Sequence, residues 1–497
     1  MKIKIPSLKL EIVVFICGAT VMILELLGSR ILAPYLGTSI YIWASLIGVI
    51  LGALSFGYFL GGRIADLKPQ YSYLGAIILA AGVYIGLIPL FEGLILGASV
   101  SLGMKWGGII SAFCLFVVPS VLLGMVSPYA LRLKIENLKK SGNTSGTLYA
   151  LSTLGSIFGT FLAGFWLIPH FQLENILFGV SVVLIFSAVF THSFKNKLFA
   201  GFLLLVIFAN GVAILEKSNP KYLVEKDSAY NHIRILDSKV FLGRPARYLF
   251  LDIGFHSAMY LDKPEELVFG YTKYYRLGDY FNPNIQKALM IGGGGYSVPK
   301  DFLTRHQNAK IDVVEIDPEI TRLASQYFNL NLEDSRLKIF HEDGRTFLNR
   351  NQEKYDVIYN DAFSSLYTVP YQLTTKEAIQ EMASALSDQG ILIVNVISAM
   401  SGEKGEFFRA EYKTLKSVFP QILVFPVEIK DQKTVQNIMI VALKNNNFDL
   451  SEMTDSISST EFADYFKNLE NNLIIPPQTP ILTDNYSPVE YLIGKVL

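Results

Sequence analysis

Long apolar runs fill the first part of the chain, and shorter alternating segments fill the rest. Each run approaches or exceeds the roughly 20 residues that a helix needs to cross a bilayer. The runs cover residues 11–31, 39–62, 72–98, 107–131, 148–169, 174–192 and 198–215. We therefore predict a helical transmembrane bundle of about seven spans, occupying residues 1–216.

From about Tyr222 onward the pattern changes to short β segments, and then strands alternate with helical patterns. Such alternation is typical of an α/β, doubly wound, mostly parallel sheet. We predict a linker and β-hairpin region over residues 217–285 and a nucleoside-binding domain over residues 286–497. The predicted strands of that domain are Lys287–Ile291, Lys310–Ile316, Leu337–Phe340, Tyr355–Asn360 and Gly390–Ile397.

Composition supports a membrane part and gives no case for nucleic acid. The 497 residues are 51% hydrophobic and only 17% charged, against about one-quarter charged in a soluble average. The formal net charge is zero, so no basic surface for nucleic acid is expected. Cys17 and Cys114 lie in apolar runs and are interpreted as buried hydrophobes, so no metal pair is expected.

Charge also bears on orientation. Lys and Arg cluster between alternate apolar runs, which by the positive-inside rule places those loops in the cytoplasm. Seven spans would then put the C-terminal domain outside, whereas a cytosolic cofactor requires it inside. The run at 198–215 is the shortest and contains Asn210-Gly211, so it is the main candidate for a segment that does not span. We expect a multi-pass protein of the cell membrane with a cytoplasmic soluble domain.

Candidate chemistry begins where the strand Lys287–Ile291 ends in four glycines, Gly292, Gly293, Gly294 and Gly295. Such a loop lets backbone N–H groups approach a nucleotide-like ligand, although a turn without ligand has the same composition. Tyr296 and the residues after it interrupt the Gly-x-Gly-x-x-Gly spacing of nicotinamide dehydrogenases.

Three acids follow at or just beyond successive strand ends. Glu315 has the spacing expected of a ribose-hydroxyl acceptor. Asp343 is either an acceptor for an adenine amino group or the N-cap of the next helix. Asp361 is either a base or amine anchor or a solvated strand-end residue. Their order indicates an S-adenosyl-type ligand.

With these motifs the chain resembles the spermidine synthase family, and in particular its membrane-fused relatives. The stretch Gly292–Tyr296 resembles the loop that cradles the sulfonium nucleoside, and Asp343-Gly344 the pair beside the adenine. The resemblance implies a class I methyltransferase-like Rossmann domain with Glu315 on the ribose and Asp361 as the catalytic aspartate. The residues matching its lid and acceptor site are Asn231, Asp252, His256, Tyr271 and Ser364.

Two family acids are absent, because Gly295 and Ser364 stand where the family has carboxylates. Asp252 and Asp279 are further acids that could serve a cationic amine. The first hypothesis is an aminopropyl transferase using decarboxylated S-adenosylmethionine and a small amine. The alternatives are a methyltransferase using S-adenosylmethionine, and a membrane transporter with a nucleoside- or polyamine-binding regulatory domain. Membrane lipid is the other expected partner, and a homodimer stays open.

Overall fold

The computed structural model describes residues 7–135, 141–191, 201, 204–208, 222–240, 243–252, 254–362, 369–428, 431–445 and 462–496. Two compact units are present in it. The N-terminal unit comprises residues 1–221 and 226–232, and the C-terminal unit comprises residues 222–225 and 233–497.

The N-terminal unit is helical. Its helices are α1 (Ser7–Leu36), α2 (Ile40–Leu67), α3 (Tyr71–Ser99), α4 (Gly103–Lys134), α5 (Ser141–Leu162) and α6 (Leu173–Thr191). Gly103 has a φ of +71°, a backbone conformation in which side chains are disfavoured, and α4 begins there. A π-helical turn and a final short turn prolong α5 to His170. Six predicted runs thus lie in helices, while the run at 198–215 falls largely outside the described residues.

Among the described residues, four helical stretches are long and apolar enough to cross a membrane. They are Lys9–Leu36, Ile40–Leu67, Tyr71–Lys134 and Ser141–His170, and Leu173–Val189 is a shorter apolar helix. The third stretch has 64 residues and contains both α3 and α4. The apolar N-terminal helices therefore indicate membrane association.

The C-terminal unit contains most of an antiparallel four-stranded sheet and a seven-stranded sheet that carries the candidate site. The smaller sheet has the strands β1 (Val224–Asp227), β2 (His232–Ser238), β3 (Ala246–Leu251) and β4 (Gly254–Tyr260). The larger sheet has the strands β5 (Lys287–Ile291), β6 (Lys310–Val314), β7 (Leu337–Phe340), β8 (Tyr355–Asn360), β9 (Leu386–Ser398), β10 (Gln421–Pro426) and β11 (Gln436–Leu443).

The larger sheet runs in the order β10-β11-β9-β8-β5-β6-β7. Strands β5 to β9 pair in parallel, and β11 and β10 add antiparallel strands at one edge. The connecting helices are α7 (Ser297–Arg305), α8 (Pro318–Tyr327), α9 (Gly344–Arg350), α10 (Lys376–Ala385) and α11 (Glu406–Lys416). This is the methyltransferase-like Rossmann architecture predicted from the sequence, with ligand sites expected at the carboxyl ends of the parallel strands.

Two apolar cores hold the sheet between its helices. Side chains of α7 and α8 join one core, as Phe302 and Leu323 illustrate. Side chains of α9, α10 and α11 join the core on the other face, where Phe347, Met382 and Phe408 are buried. Because both faces are covered, the parallel strands are nearly continuous apolar runs, as the sequence showed.

Candidate active site

The glycine loop after β5 is held by Glu315. The Glu315 carboxylate accepts hydrogen bonds from the backbone N–H groups of Gly293 at 2.8 Å and Gly294 at 3.2 Å. Its other oxygen accepts from the backbone N–H of Asp317 at 3.0 Å. Burial raises the pKa of Glu315, and these backbone donors oppose that rise. The Glu315 carboxylate thus holds the glycine loop in place, and this loop lies about twenty residues earlier in the sequence.

Three residues of this loop have a left-handed backbone: Gly292 at φ +94°, Gly294 at φ +52° and Tyr296 at φ +55°. Tyr296 tolerates this conformation with its ring fully buried and its hydroxyl 2.6 Å from the Thr321 hydroxyl. A Cβ at Gly292 would lie 2.5 Å from the carbonyl oxygen of Asp361. The loop therefore runs directly against the end of β8, so the structure brings Gly292 and Asp361 together.

The fourth glycine of the loop is packed against β4. Gly295 donates its backbone N–H to the Ser257 hydroxyl at 2.7 Å. A Cβ at Gly295 would lie 2.7 Å from the Ser257 Cβ and 3.3 Å from the Phe328 ring. Position 295, where the family has a carboxylate, thus has no room for a side chain in this protein. The Ser257 hydroxyl is the polar group next to it.

Asp343 is the N-cap of α9. One carboxylate oxygen accepts from the backbone N–H of Thr346 at 3.0 Å, and the other accepts from the Gln372 side chain at 3.3 Å. Gly344 follows as the first residue of the helix, and a Cβ there would lie 2.9 Å from Ile291. Of the two sequence interpretations of Asp343, capping is the one with visible contacts, and its adenine contact stays a prediction.

Asp361 lies just beyond the carboxyl end of β8 among hydrogen-bond donors. The Asn395 side chain donates to one of its oxygens at 2.9 Å, and the Tyr275 hydroxyl donates to the neighbouring backbone carbonyl of Asn360 at 3.4 Å. Burial raises the pKa of Asp361 to about 6, while Asn395 and the hydroxyls of Tyr271 and Tyr275 lower it. This aspartate is therefore poised to accept a proton near neutral pH.

The structure places the other predicted site residues in different surroundings. The Tyr271 side chain lies beside the Asp361 carboxylate, and the backbone oxygen of His256 lies beside Gly294. Asp252 is buried in the β3–β4 turn with a φ of +51°. Asn231 belongs to the N-terminal unit, where its carbonyl accepts from Ser228.

Two further residues named from the sequence need comment. Ser364 lies outside the described residues. Asp279 forms an ion pair with Arg305 and contacts the Nε2 atom of His306 at 2.9 Å, so we interpret it as a structural acid.

Sequence reasoning missed Asn395, Tyr275 and Ser257. Asn395 and Ser257 lie on strands from distant parts of the chain, and no local motif marks them. Asn395 is itself positioned by the Asn437 side chain, which donates to its oxygen at 3.0 Å across neighbouring strands. Tyr275 lies one helical turn after Tyr271, so its i+4 spacing was the one available signal.

A second missed contact joins the C-terminal segment to α9 and α10. The Asp484 carboxylate accepts from Arg345 at 2.8 Å and from the Thr375 hydroxyl at 2.7 Å. The segment 482–490 thus contacts the helix that Asp343 caps. Among the described residues no three His, Cys, Asp or Glu side chains form a metal-binding group.

Comparison with known proteins finds similarity in the C-terminal part of the chain. Residues 274–452 match the spermine/spermidine synthase domain. Polyamine aminopropyltransferase of Vibrio vulnificus is 28% identical over 237 residues, covering 46% of this chain and 77% of that protein. The Clostridium beijerinckii polyamine aminopropyltransferase is 32% identical over 156 residues, covering 30% of this chain and 53% of that protein.

Among solved structures, a probable spermidine synthase from Corynebacterium glutamicum has a TM-score of 0.41 at 19% identity, covering 48% of this chain and 88% of that one. The fold defines a methyltransferase-like Rossmann domain. Residues 274–452 of this chain are thus similar to the spermine/spermidine synthase domain, and the matched relatives are polyamine aminopropyltransferases.

Proposed function

We propose that this protein transfers an aminopropyl group from decarboxylated S-adenosylmethionine to a small amine. The arrangement at Asp361 carries the proposal, because a carboxylate beyond the carboxyl end of a parallel strand, hydrogen-bonded by Asn395, adjoins the glycine loop. The similarity of residues 274–452 to the spermine/spermidine synthase domain supports the same reaction class.

The proposed step is an in-line displacement. The amine nitrogen forms a bond to the aminopropyl carbon next to the sulfonium, and the carbon–sulfur bond breaks. The bonding electrons stay on sulfur, which leaves as neutral methylthioadenosine. The amine proton passes to the Asp361 carboxylate. Asn395 holds that carboxylate in place and the hydroxyls of Tyr271 and Tyr275 lower its pKa, so positioning and proton acceptance are the contribution of the protein.

The nucleoside would lie on the loop Gly292–Gly295. We propose that Glu315 serves the ribose while it keeps its backbone bonds, and that Gly344 allows close approach of the adenine beside Asp343. A sulfonium donor is activated by its own charge, so a metal is not needed for this step.

Turnover of the full-length protein tests the proposal. Purified protein in detergent is incubated with decarboxylated S-adenosylmethionine and a panel of diamines, and methylthioadenosine is measured. Asp361→Asn should lower turnover by about 10²–10⁴-fold while methylthioadenosine binding is kept. Asp356→Asn is the matched control, because Asp356 lies on the same strand and caps the backbone N–H groups of Gln286 and Lys287 at its far end.

Methyl transfer is the second candidate, and Gly295 favours it. The loop has no carboxylate at this position, so the carboxylate of intact S-adenosylmethionine would meet no like charge there. Labelled S-adenosylmethionine and its decarboxylated form, offered in parallel, separate the two reactions. Release of S-adenosylhomocysteine alone would replace the aminopropyl proposal, and no release from either donor would favour the regulatory-domain alternative.

We propose that the N-terminal helices anchor the enzyme as a multi-pass membrane protein. The four long apolar helical stretches support this proposal. The full-length protein should stay in the membrane pellet after an alkaline carbonate wash, and release into the supernatant would contradict the anchor. A reporter fused to the C-terminus then shows on which side of the membrane the catalytic domain lies. We propose that it lies on the cytoplasmic side.

A further inference from the structure

A chain of three hydrogen-bonding side chains runs from the glycine loop to the end of β7. The Tyr296 hydroxyl lies 2.6 Å from the Thr321 hydroxyl on α8, and the Thr321 hydroxyl lies 3.0 Å from Nε2 of His341. Tyr296 is fully buried and Thr321 is only 5% exposed, whereas His341 is exposed. The chain therefore connects the loop after β5, through the helix after β6, to a residue just after β7.

Tyr296 supports the glycine loop from behind. A Cβ added to Gly293 would lie 2.8 Å from two carbons of the Tyr296 ring and 3.0 Å from its hydroxyl oxygen. The backbone N–H of Tyr296 also donates to the Gly293 carbonyl at 2.8 Å. A change in the position of the Tyr296 ring would therefore displace Gly293, whose own N–H is held by Glu315.

The hydroxyl proton of Tyr296 needs an acceptor. Burial and the nearby Glu315 carboxylate raise the pKa of Tyr296, so the hydroxyl keeps its proton at neutral pH. Within the described part of the chain, the hydrogen-bond partner of this hydroxyl is the Thr321 oxygen. A buried donor left without an acceptor costs free energy, so the satisfied arrangement has Tyr296 donating to Thr321.

The number of protons then fixes the direction of the whole chain. Tyr296 and Thr321 each have one hydroxyl proton, and each proton needs its own acceptor. If Thr321 accepts from Tyr296, its own proton goes to Nε2 of His341, which must then carry a lone pair. A proton on Nε2 would instead leave one of the two hydroxyl protons without an acceptor among the described residues. The satisfied arrangement therefore has a neutral imidazole with its proton on Nδ1.

We propose that Thr321 and His341 are positioning residues for the nucleoside and act through Tyr296. By taking up the Tyr296 proton they keep it away from Glu315, whose oxygens then serve the backbone N–H groups of the loop and the ribose. This inference rests on the proposed function, because it takes the glycine loop as the place where the nucleoside binds. It adds two residues that lie outside the loop and determine its shape.

Thr321→Val tests the chain, because it removes the hydroxyl and keeps the shape of the side chain. The Tyr296 proton then loses its acceptor and competes for Glu315. The Kd of methylthioadenosine for the full-length protein in detergent should rise about five- to tenfold. Adding Tyr296→Phe removes the donor without a partner, so the double variant should bind at least about threefold more tightly than Thr321→Val. Thr321→Ser keeps the hydroxyl and should bind within about twofold of the wild type.

Thr414→Val is the matched control. Thr414 is fully buried on α11, where its hydroxyl donates to the Ala410 carbonyl at 2.6 Å and accepts from the backbone N–H of Leu482 at 2.9 Å. Its replacement also removes a buried hydroxyl, so thermal stability should fall while the Kd of methylthioadenosine stays within about twofold. Equal losses of affinity in the two valine variants would assign the effect to general destabilisation and overturn the positioning role.

The tautomer of His341 is a second, independent readout. Nitrogen NMR of protein with isotope-labelled histidine, in a mildly alkaline buffer and with His341→Gln to assign the signals, should show Nε2 without a proton. In Thr321→Val the ring loses its donor and should populate both tautomers. A wild-type ring with its proton on Nε2 would overturn the chain. This measurement on the wild type decides the question even where Thr321→Val does not fold.

Failure of the proposed function gives a different result from failure of the positioning role. If the wild type binds no methylthioadenosine, the nucleoside site fails and the positioning role fails with it, whatever the tautomer of His341. If methylthioadenosine binds equally well to the wild type and to folded Thr321→Val, the positioning role alone is overturned and the proposed function stands.

Discussion

Glycines bring backbone segments close together in both units, but the contacts differ. In the helical unit, a Cβ at Gly61 would lie 2.6 Å from the backbone of Met125 on α4, and Gly155 and Gly159 meet the backbone of α1 in the same way. In the C-terminal unit, Gly293 and Gly294 offer their N–H groups to Glu315. The helical glycines bury surface, whereas the loop glycines arrange donors.

The difference follows from whether the backbone N–H groups in each unit already have hydrogen-bond partners. Helices in an apolar surrounding satisfy their own backbone, so small residues serve mainly to bring them into van der Waals contact. A loop at the end of a parallel strand has free N–H groups, so glycines there make room for an acceptor. The same residue type therefore predicts packing in one unit and binding in the other.

Among the glycine substitutions, the largest effect is expected from Gly292→Ala in the loop. A Cβ would be strained at φ +94° and would lie 2.5 Å from the Asp361 carbonyl oxygen. We expect a loss of about 1–3 kcal/mol in the free energy of unfolding and at least a tenfold loss of methylthioadenosine affinity. Gly402→Ala is the control, because Gly402 has a φ of +70° with nothing within 4 Å of the added Cβ. Equal losses in both variants would mean that backbone strain alone matters.

Gly155→Val should act on the helical unit only. Its side chain would overlap the backbone of Phe15 on α1. Overpacking of this kind costs about 1–3 kcal/mol, so thermal unfolding in detergent should begin at lower temperature. Methylthioadenosine affinity should be unaffected. Gly48→Val is the matched control, because nothing lies within 4 Å of a Cβ at Gly48.

The pH dependence of turnover should report Asp361. Burial raises its pKa to about 6, so the carboxylate is ionised above this pH and protonated below it. A base is inactive when protonated, so kcat/KM should fall about tenfold per unit as pH decreases below 6. The Tyr275 hydroxyl lowers the pKa of Asp361, so Tyr275→Phe should raise that pKa and shift the fall in kcat/KM to higher pH. If the fall in kcat/KM stays at the same pH, it reports the titration of another group.

The smallest effect is expected from Asp484→Asn. The variant weakens the pair with Arg345, and the Asp484 side chain is 47% exposed, so solvent screens the interaction. We expect about 0.5–1 kcal/mol of destabilisation, measured by thermal unfolding, with little change in turnover. A large loss of nucleoside affinity instead would show that the C-terminal segment controls the position of Asp343.

Local pattern was sufficient for much of the sheet. Lys287–Ile291, Leu337–Phe340 and Tyr355–Asn360 are strands with the predicted bounds, because buried parallel strands form short apolar runs between polar ends. Strand β9 begins at Leu386, four residues before the predicted start at Gly390. Strands β10 and β11 were not predicted, although helix α11 continues the alternation of strands and helices as far as β10.

The helical spans, the positions of the parallel strands along the chain and the acids at the strand ends are local properties, and periodicity and spacing in the sequence predict them. The partners of those acids cannot be predicted in this way. Glu315 meets its own glycine loop, Asp361 meets Asn395 from β9, and Ser257 from β4 fills the space beside Gly295. These contacts join residues that are 21 to 38 positions apart, and only the folded sheet brings them within hydrogen-bonding distance.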